Sequence, residues 1–441
     1  MQQICSGPWL ESQAARTIHA WHACSSLPIP QGPIYLAREQ RRREHAYDAA
    51  MRSVKREVKT APRTQIDRLA AQDRIVATFT RFAVEALDLK EEAVRLITSG
   101  FVPAGTEFAR LARHFDPALT VAEIVQACRN ALTVCGLQPL LNEPIAITPS
   151  IVAYSLLYPY TDNFLDRRDV SGQAKRRFCA RFRQRLSGVK VAARDRHEAA
   201  VWALVEMIEG QYPRACHPQV YDSLLAIHQA QEESIAQLTD GEACSQTGIL
   251  RISCAKGGSS VLADACLVRG RLGEEEARLA FDWGALLQLG DDLQDVREDL
   301  DRGSATLFTS AIAEGKPLDA LVSRLLNFID CVGGELDHFP GGSATLKDLV
   351  VMSWRSLVIA AVAHASEFFS PAFLRELERF SPFRFRFLRA RNKKLASRQG
   401  IFTAAFDALI EEPEMMKRPI SGSSFSPFVQ PAFQDQTMSC Q

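Results

Sequence analysis

The chain has 441 residues, 46% hydrophobic and 24% charged, which gives ample material for a buried core and excludes a low-complexity polymer. Lysine plus arginine and aspartate plus glutamate each total 52, so net charge near zero carries no whole-chain signal for nucleic acid or an anionic membrane. The eleven cysteines are scattered without a CxxC pair, which excludes metal-finger spacing and favours reduced, buried thiols over a disulfide framework.

Residues 1–60 read as an N-terminal extension, partly disordered and carrying a charged helix. "MQQICSGPWLESQAARTIHAWHAC" has no basic start followed by an apolar run, so no secretory signal is expected. "SSLPIPQGPIYLA" reads as loop. "REQRRREHAYDAAMRSVKREVK" reads as the charged helix, with Arg41, Arg42 and Arg43 on a solvated face.

Over 61–415 the helical period dominates. "IDRLAAQDRIVATFTRFAVEAL", "TVAEIVQACRNALTVCGL", "HEAAVWALVEMIEGQY" and "VYDSLLAIHQAQEESIAQL" each place apolar residues at three- and four-residue steps. Helix stops are predicted at Gly136, Pro144, the Pro213 region, Gly257–Gly258, Gly273, Gly303 and Gly333–Gly334. Thr148 is set to cap a helix that Pro149 opens. Period-two alternation is rare and no linker-like break divides the stretch, so the expectation is one large all-α domain. Residues 416–441, rich in Ser, Pro and Gln, read as a disordered tail. No apolar window approaches a bilayer span. The expectation is a cytoplasmic protein without an integral membrane segment, with peripheral membrane contact left open.

Two acidic stretches stand out. In "GDDLQDVREDLDRG" (290–303), Asp291, Asp295 and Asp299 are spaced four and four. Successive positions drift by only about 40° around a helix, so the three carboxylates share one stripe. Asp292 joins Asp295 and Asp299 at three and seven. In "AYSLLYPYTDNFLDRRD" (153–169), Asp162 and Asp166 are again four apart, with Tyr158 and Tyr154 one and two turns earlier on the same stripe. A single DxxxD is usually a solvated face. Two of them, each ending an apolar helix, point to carboxylates converging over an apolar cavity. Such a cluster repels itself and its pKa values rise unless a cation binds. Mg²⁺ suits this, because it takes a few carboxylates plus waters and phosphate oxygens. The implied ligand has a diphosphate head and a hydrocarbon tail. An EF-hand is excluded, since Val296 stands where the loop starting at Asp291 needs glycine. "ELDH" at Glu335–His338 is flanked by Gly and Pro, reads as loop, and does not make a di-iron site.

These residues carry a resemblance to the class I isoprenoid synthases. "QLGDDLQDVREDLDRG" resembles the second motif of the squalene/phytoene synthase branch, with Gln288, Asp291, Asp295, Glu298 and Asp299 at its positions. It also fits the looser terpene-synthase pattern. "YPYTDNFLD" resembles the first motif, Asp162 and Asp166 matching its ends. Asn163 stands where the usual double aspartate has its second acid, which favours the squalene/phytoene and bacterial large-terpene synthase branches. "AKGGSSVLADACLV" resembles the segment where a helix breaks and a basic residue meets the diphosphate. Lys256 is the candidate there, with Arg251 second.

The resemblance implies a class I terpenoid synthase-like helical bundle around an apolar central cavity. It implies Mg²⁺, three ions in the family, held by Asp162, Asp166, Asp291, Asp292, Asp295 and Asp299. Catalysis would fall to Asp162, Asp166, Asp291, Asp295, Asp299 and Lys256. Substrate would be held by Lys256, Arg251, Gln288 and Arg355. Tyr158, Tyr154 and Phe164, with Trp283 and Phe308, are candidates for a wall that stabilises a carbocation by cation–π attraction. The implied function is a Mg²⁺-dependent terpene synthase that ionises one prenyl diphosphate to a cyclic or linear terpene and releases diphosphate. Two alternatives stand beside it. One is a prenyltransferase joining two prenyl diphosphates, head to head or by chain elongation. The other is a non-catalytic helical interaction protein. A prenyl diphosphate is the expected partner, nucleic acid is not, and a homodimer is compatible with the reading.

Overall fold

The computed structural model describes residues 3–28, 32–59, 65–167, 169–239, 245–339 and 341–396. Among them every regular element is helical and none is a strand. No helix among the described residues is long and apolar enough to cross a membrane. The expected tail, 416–441, lies outside the described residues.

The helices Gln246–Arg269 and Glu274–Gln294 form the central hairpin and pack most extensively against each other. Gly270, at φ 75°, ends the first in a left-handed cap, and Gly273 is the N-cap of the second. Around this pair lie Gly7–Ala23, Val121–Leu140, Pro149–Asp166, Pro218–Thr239, Asp319–Glu335 and Ala344–His364.

The expected break at Gly257–Gly258 is absent, and the Gln246–Arg269 helix runs through both glycines. Their role is close approach. A Cβ on Gly257 would collide with the Gly284 carbonyl oxygen, and one on Gly284 with the Gly257 oxygen. A Cβ on Gly258 would stand 2.6 Å from the Phe281 ring. A mid-helix glycine costs about 1 kcal/mol against alanine, and here it lets two backbones touch. Gly136 and Gly333–Gly334 also lie inside helices, Val121–Leu140 and Asp319–Glu335. The stop at Gly303 stands, at φ 73°, as does the start at Thr148, whose hydroxyl accepts from the Ile151 amide at 3.4 Å.

The N-terminal region is built into the core. Ser6 caps the Gly7–Ala23 helix, which buries Trp9 and Trp21 in the same apolar cluster as the central hairpin. Trp21 meets Phe328 edge-on at 5.9 Å. Arg43, expected on a solvated face, is buried instead. It donates to the Ala86 carbonyl at 2.6 Å and pairs with Asp88. The Arg- and Phe-rich run near the end of the described chain packs on the Ala37–Lys59 helix. Arg384 pairs with Glu44 and Arg391 with Asp48, while Tyr47 meets Phe383 and Phe387 edge-on.

Candidate functional site

A cavity of about 60 Å³ lies between the Pro149–Asp166, Pro218–Thr239 and central helices. Tyr154 and Tyr158 line it from the first acidic helix, Lys256 and Ser260 from one arm of the hairpin, and Gln288 from the other. Four residues that the sequence reading singled out, Tyr154, Tyr158, Lys256 and Gln288, therefore share one space. A buried tyrosine needs a partner for its hydroxyl, and Tyr154 donates to the Ser260 carbonyl at 3.1 Å.

Both acidic motifs reach this cavity's polar wall. The Lys256 Nζ is 3.8 Å from Asp162 Oδ2, and Gln231 donates to Asp162 Oδ1 at 3.3 Å. Gln288, across the hairpin, donates to Asp292 at 2.8 Å. Burial pushes the Asp291 carboxyl up, Arg129 and Lys256 pull it down, and the Asp162 charge pushes it up again. Asp291 thus lies within electrostatic reach of both Asp162 and Lys256.

Asp291, Asp295 and Asp299 are all half-buried, while Glu298 and Asp301 are exposed. The helix steps at Asp295, where Glu274–Gln294 gives way to Val296–Arg302, but Asp295 N–Asp291 O and Asp299 N–Asp295 O are both 2.9 Å. The four-residue hydrogen-bond register therefore carries through, and the stripe survives the step. Burial raises the Asp295 carboxyl, with the charge of Asp291 adding to it. Burial and the charge of Asp295 push Asp299 up to about 6. Asp292 faces inward. It is buried, accepts from Ser253 at 2.9 Å as well as from Gln288, and burial pushes it up to about 7. Oδ2, through Ser253, ties the two arms of the hairpin, while Oδ1 accepts from Gln288 on its own helix. Among the described residues no group of three or more His, Cys, Asp or Glu side chains stands ready to hold a metal ion. Asp166 closes its helix, and its side chain lies outside the described residues.

The other expected residues lie apart from the cavity wall. Phe164 stacks on His197 at 4.6 Å and packs on Phe178 at 4.9 Å. Arg251 pairs with Glu233 at 3.5 Å. Arg355 pairs with Asp330 on the Asp319–Glu335 helix. Trp283 meets Trp354 edge-on at 5.0 Å, and Phe308 is fully buried.

The sequence reading missed several polar groups. Arg129 stands 3.5 Å from Asp291. Its neighbour Asn130 lines the cavity and spends its amide hydrogens on Asp264 at 2.9 Å and Ser155 at 3.1 Å. Asp264 is fully buried, its second oxygen meets no partner among the described residues, and burial raises its carboxyl far above the usual range. His228, Gln231 and Thr161 also line the cavity. Their signal was a polar residue on the apolar face of a helix, a pattern that periodicity alone treats as noise. Comparison with family models, curated proteins and solved structures found no match to this chain.

Proposed function

We propose that the protein is a Mg²⁺-dependent class I terpene synthase, ionising one prenyl diphosphate in the cavity between its two acidic helices. One observation carries this reading. Three cavity residues, Gln231, Lys256 and Gln288, each reach an aspartate of the acidic motifs, so the acids flank a space also lined by two tyrosines.

The donor set fits Mg²⁺ in kind. It is carboxylate oxygen throughout, and the like charges raise one another's proton affinity, which a cation relieves. Mg²⁺ draws much of its shell from water and phosphate oxygens, so a closed protein cage is not needed. Asp162 on one side and Asp291, Asp295 and Asp299 on the other would hold it. When bound, the ion supplies positive charge against the departing diphosphate.

The remaining work belongs to the chain. Lys256 donates N–H to a diphosphate oxygen and neutralises charge as the carbon–oxygen bond breaks. The Tyr154 and Tyr158 rings face the hydrocarbon and stabilise positive charge on it. Leu157, Leu224 and Ile227 line the same space and exclude water from it. At about 60 Å³ the cavity is far smaller than a prenyl chain, so the substrate enters by parting these walls.

The test is incubation with Mg²⁺ and each C10 to C25 prenyl diphosphate singly, then with isopentenyl diphosphate added. Hydrocarbon or alcohol from one substrate alone supports the synthase. Longer diphosphates formed only with the added C5 unit make it a chain-elongating transferase. A doubled chain from one substrate makes it a head-to-head transferase. Neither turnover nor Mg²⁺-dependent binding of a diphosphate analogue leaves the interaction protein.

A further inference from the structure

The Pro218–Thr239 helix turns Leu224, Ile227, His228 and Gln231 toward the cavity, the spacing of a single helical face. His228 is the one titratable side chain of that set. Its Nε2 lies 3.0 Å from the Cys179 carbonyl oxygen. A carbonyl only accepts, so Nε2 carries the hydrogen and the lone pair of the neutral ring sits on Nδ1. No bond from Nδ1 to another group is present among the described residues. Phe182 meets the ring edge-on at 4.9 Å and fixes its plane.

The charges around the ring suit a group that is neutral at rest and accepts a proton. Glu232, one turn along the same helix, has a carboxylate oxygen 3.8 Å from Nε2. Arg183, on the Gly172–Leu186 helix, pairs with that glutamate. Burial lowers the proton affinity of His228, Glu232 restores part of it, and Arg183 opposes. The carboxylate thus stands on the N–H side, ready to stabilise an imidazolium, while the lone pair is on the opposite side of the ring. The same logic governs the histidine of a catalytic triad.

We propose that His228 is the proton acceptor that ends the reaction in this cavity, taking a proton from the carbon beside the cationic centre. The proposal rests on the ionisation reading above. The diphosphate leaves with its bonding pair. The adjacent C–H bond then breaks, its pair forms the C=C bond of an alkene, and the proton goes to Nδ1. The imidazolium returns that proton to the departing diphosphate or to solvent, and no oxidant or co-reactant is required.

The experiment measures alkene and diphosphate released by the full chain with Mg²⁺ and a single prenyl diphosphate, for wild type and His228→Phe. Phenylalanine keeps a ring and removes the lone pair. The ratio of alkene to diphosphate is expected to fall by about a hundredfold, the scale of a lost general base, with alcohol from water capture in its place. An unchanged ratio overturns the proposal and leaves the ionisation reading standing. No diphosphate release from wild type overturns both. Should His228→Phe not fold, ring-nitrogen NMR of the wild-type histidine decides. A neutral ring protonated on Nε2 near neutral pH is expected. Hydrogen on Nδ1 overturns the proposal.

Discussion

Lys256 faces both acidic helices at once: its ammonium is 3.8 Å from Asp162, and its charge also pulls down the Asp291 carboxyl. It also lines the cavity in which a diphosphate would bridge the two motifs. A hydrogen bond to a charged group is worth about 1.5–3 kcal/mol, or about tenfold to a hundredfold in affinity. Lys256→Met is therefore expected to weaken Mg²⁺-dependent binding of a non-hydrolysable prenyl diphosphate analogue by that factor, read by calorimetry. Undiminished affinity in a folded variant would remove Lys256 from the site.

The acid stripe also makes the metal-free protein sensitive to pH. In the fold Asp292 is pushed up to about 7 and Asp299 to about 6, against about 3.9 for an unfolded aspartate. The folded state thus binds more protons than the unfolded state between those values. The stabilising difference is fully present below about pH 4 and is lost as pH rises through 6 and 7. The urea midpoint without metal should fall across that window. Asp292→Asn should flatten the fall, and Mg²⁺ added above the window should raise the wild-type midpoint. A variant whose pH profile superimposes on wild type would show that Asp292 ionises normally.

What could be read in advance follows from what periodicity encodes. The acid stripe and the Tyr154–Tyr158–Asp162 face were legible because a helix turns fixed spacing into a shared surface. The all-helical class followed from the same period. Gly257–Gly258 misled because a glycine in a helix reads alike whether it ends the helix or admits a neighbour. Only the partner, Gly284, decides. Arg43 misled because its partner Asp88 follows it by 45 residues and the Ala86 carbonyl by 43. His228 and Asp264 were invisible for a related reason. Their neighbours Cys179 and Asn130 come from other helices, and no local pattern marks a polar group that tertiary structure will satisfy.

The glycine contact makes a strong stability prediction. A Cβ on Gly257 would meet the Gly284 backbone, which cannot swing aside as a side chain can. Overpacking a core typically costs about 1–3 kcal/mol even where side chains yield, and a backbone clash belongs at or beyond the top of that range. Gly257→Ala should lower the urea midpoint accordingly, and Gly284→Ala should do the same. Gly210, whose added Cβ would meet nothing within 4 Å, is the control. Gly210→Ala should be neutral or slightly stabilising, since alanine favours the helix. Equal midpoints for Gly257→Ala and wild type would mean that the two helices do not touch there.

Asp282 ties the N-terminal helix to the central hairpin. Asp282 sits on the central hairpin with 9% of its side chain exposed. Among the described residues its hydrogen-bond partners come from the Gly7–Ala23 helix. Arg16 donates at 2.6 Å, Thr17 at 2.5 Å and Gln13 at 3.3 Å. Burial raises the Asp282 carboxyl, while Arg16 and Thr17 lower it, so the helix supplies what lets the charge stay buried. Removing one partner of a buried pair costs about 3–5 kcal/mol, because the other charge is stranded. Arg16 is 43% exposed, so the cost of Arg16→Met belongs below that range. Asp282→Asn in the Arg16→Met background should recover part of the loss, since no charge is then left to strand. Additive effects of the two substitutions in urea unfolding would show that Arg16 and Asp282 do not act as a pair.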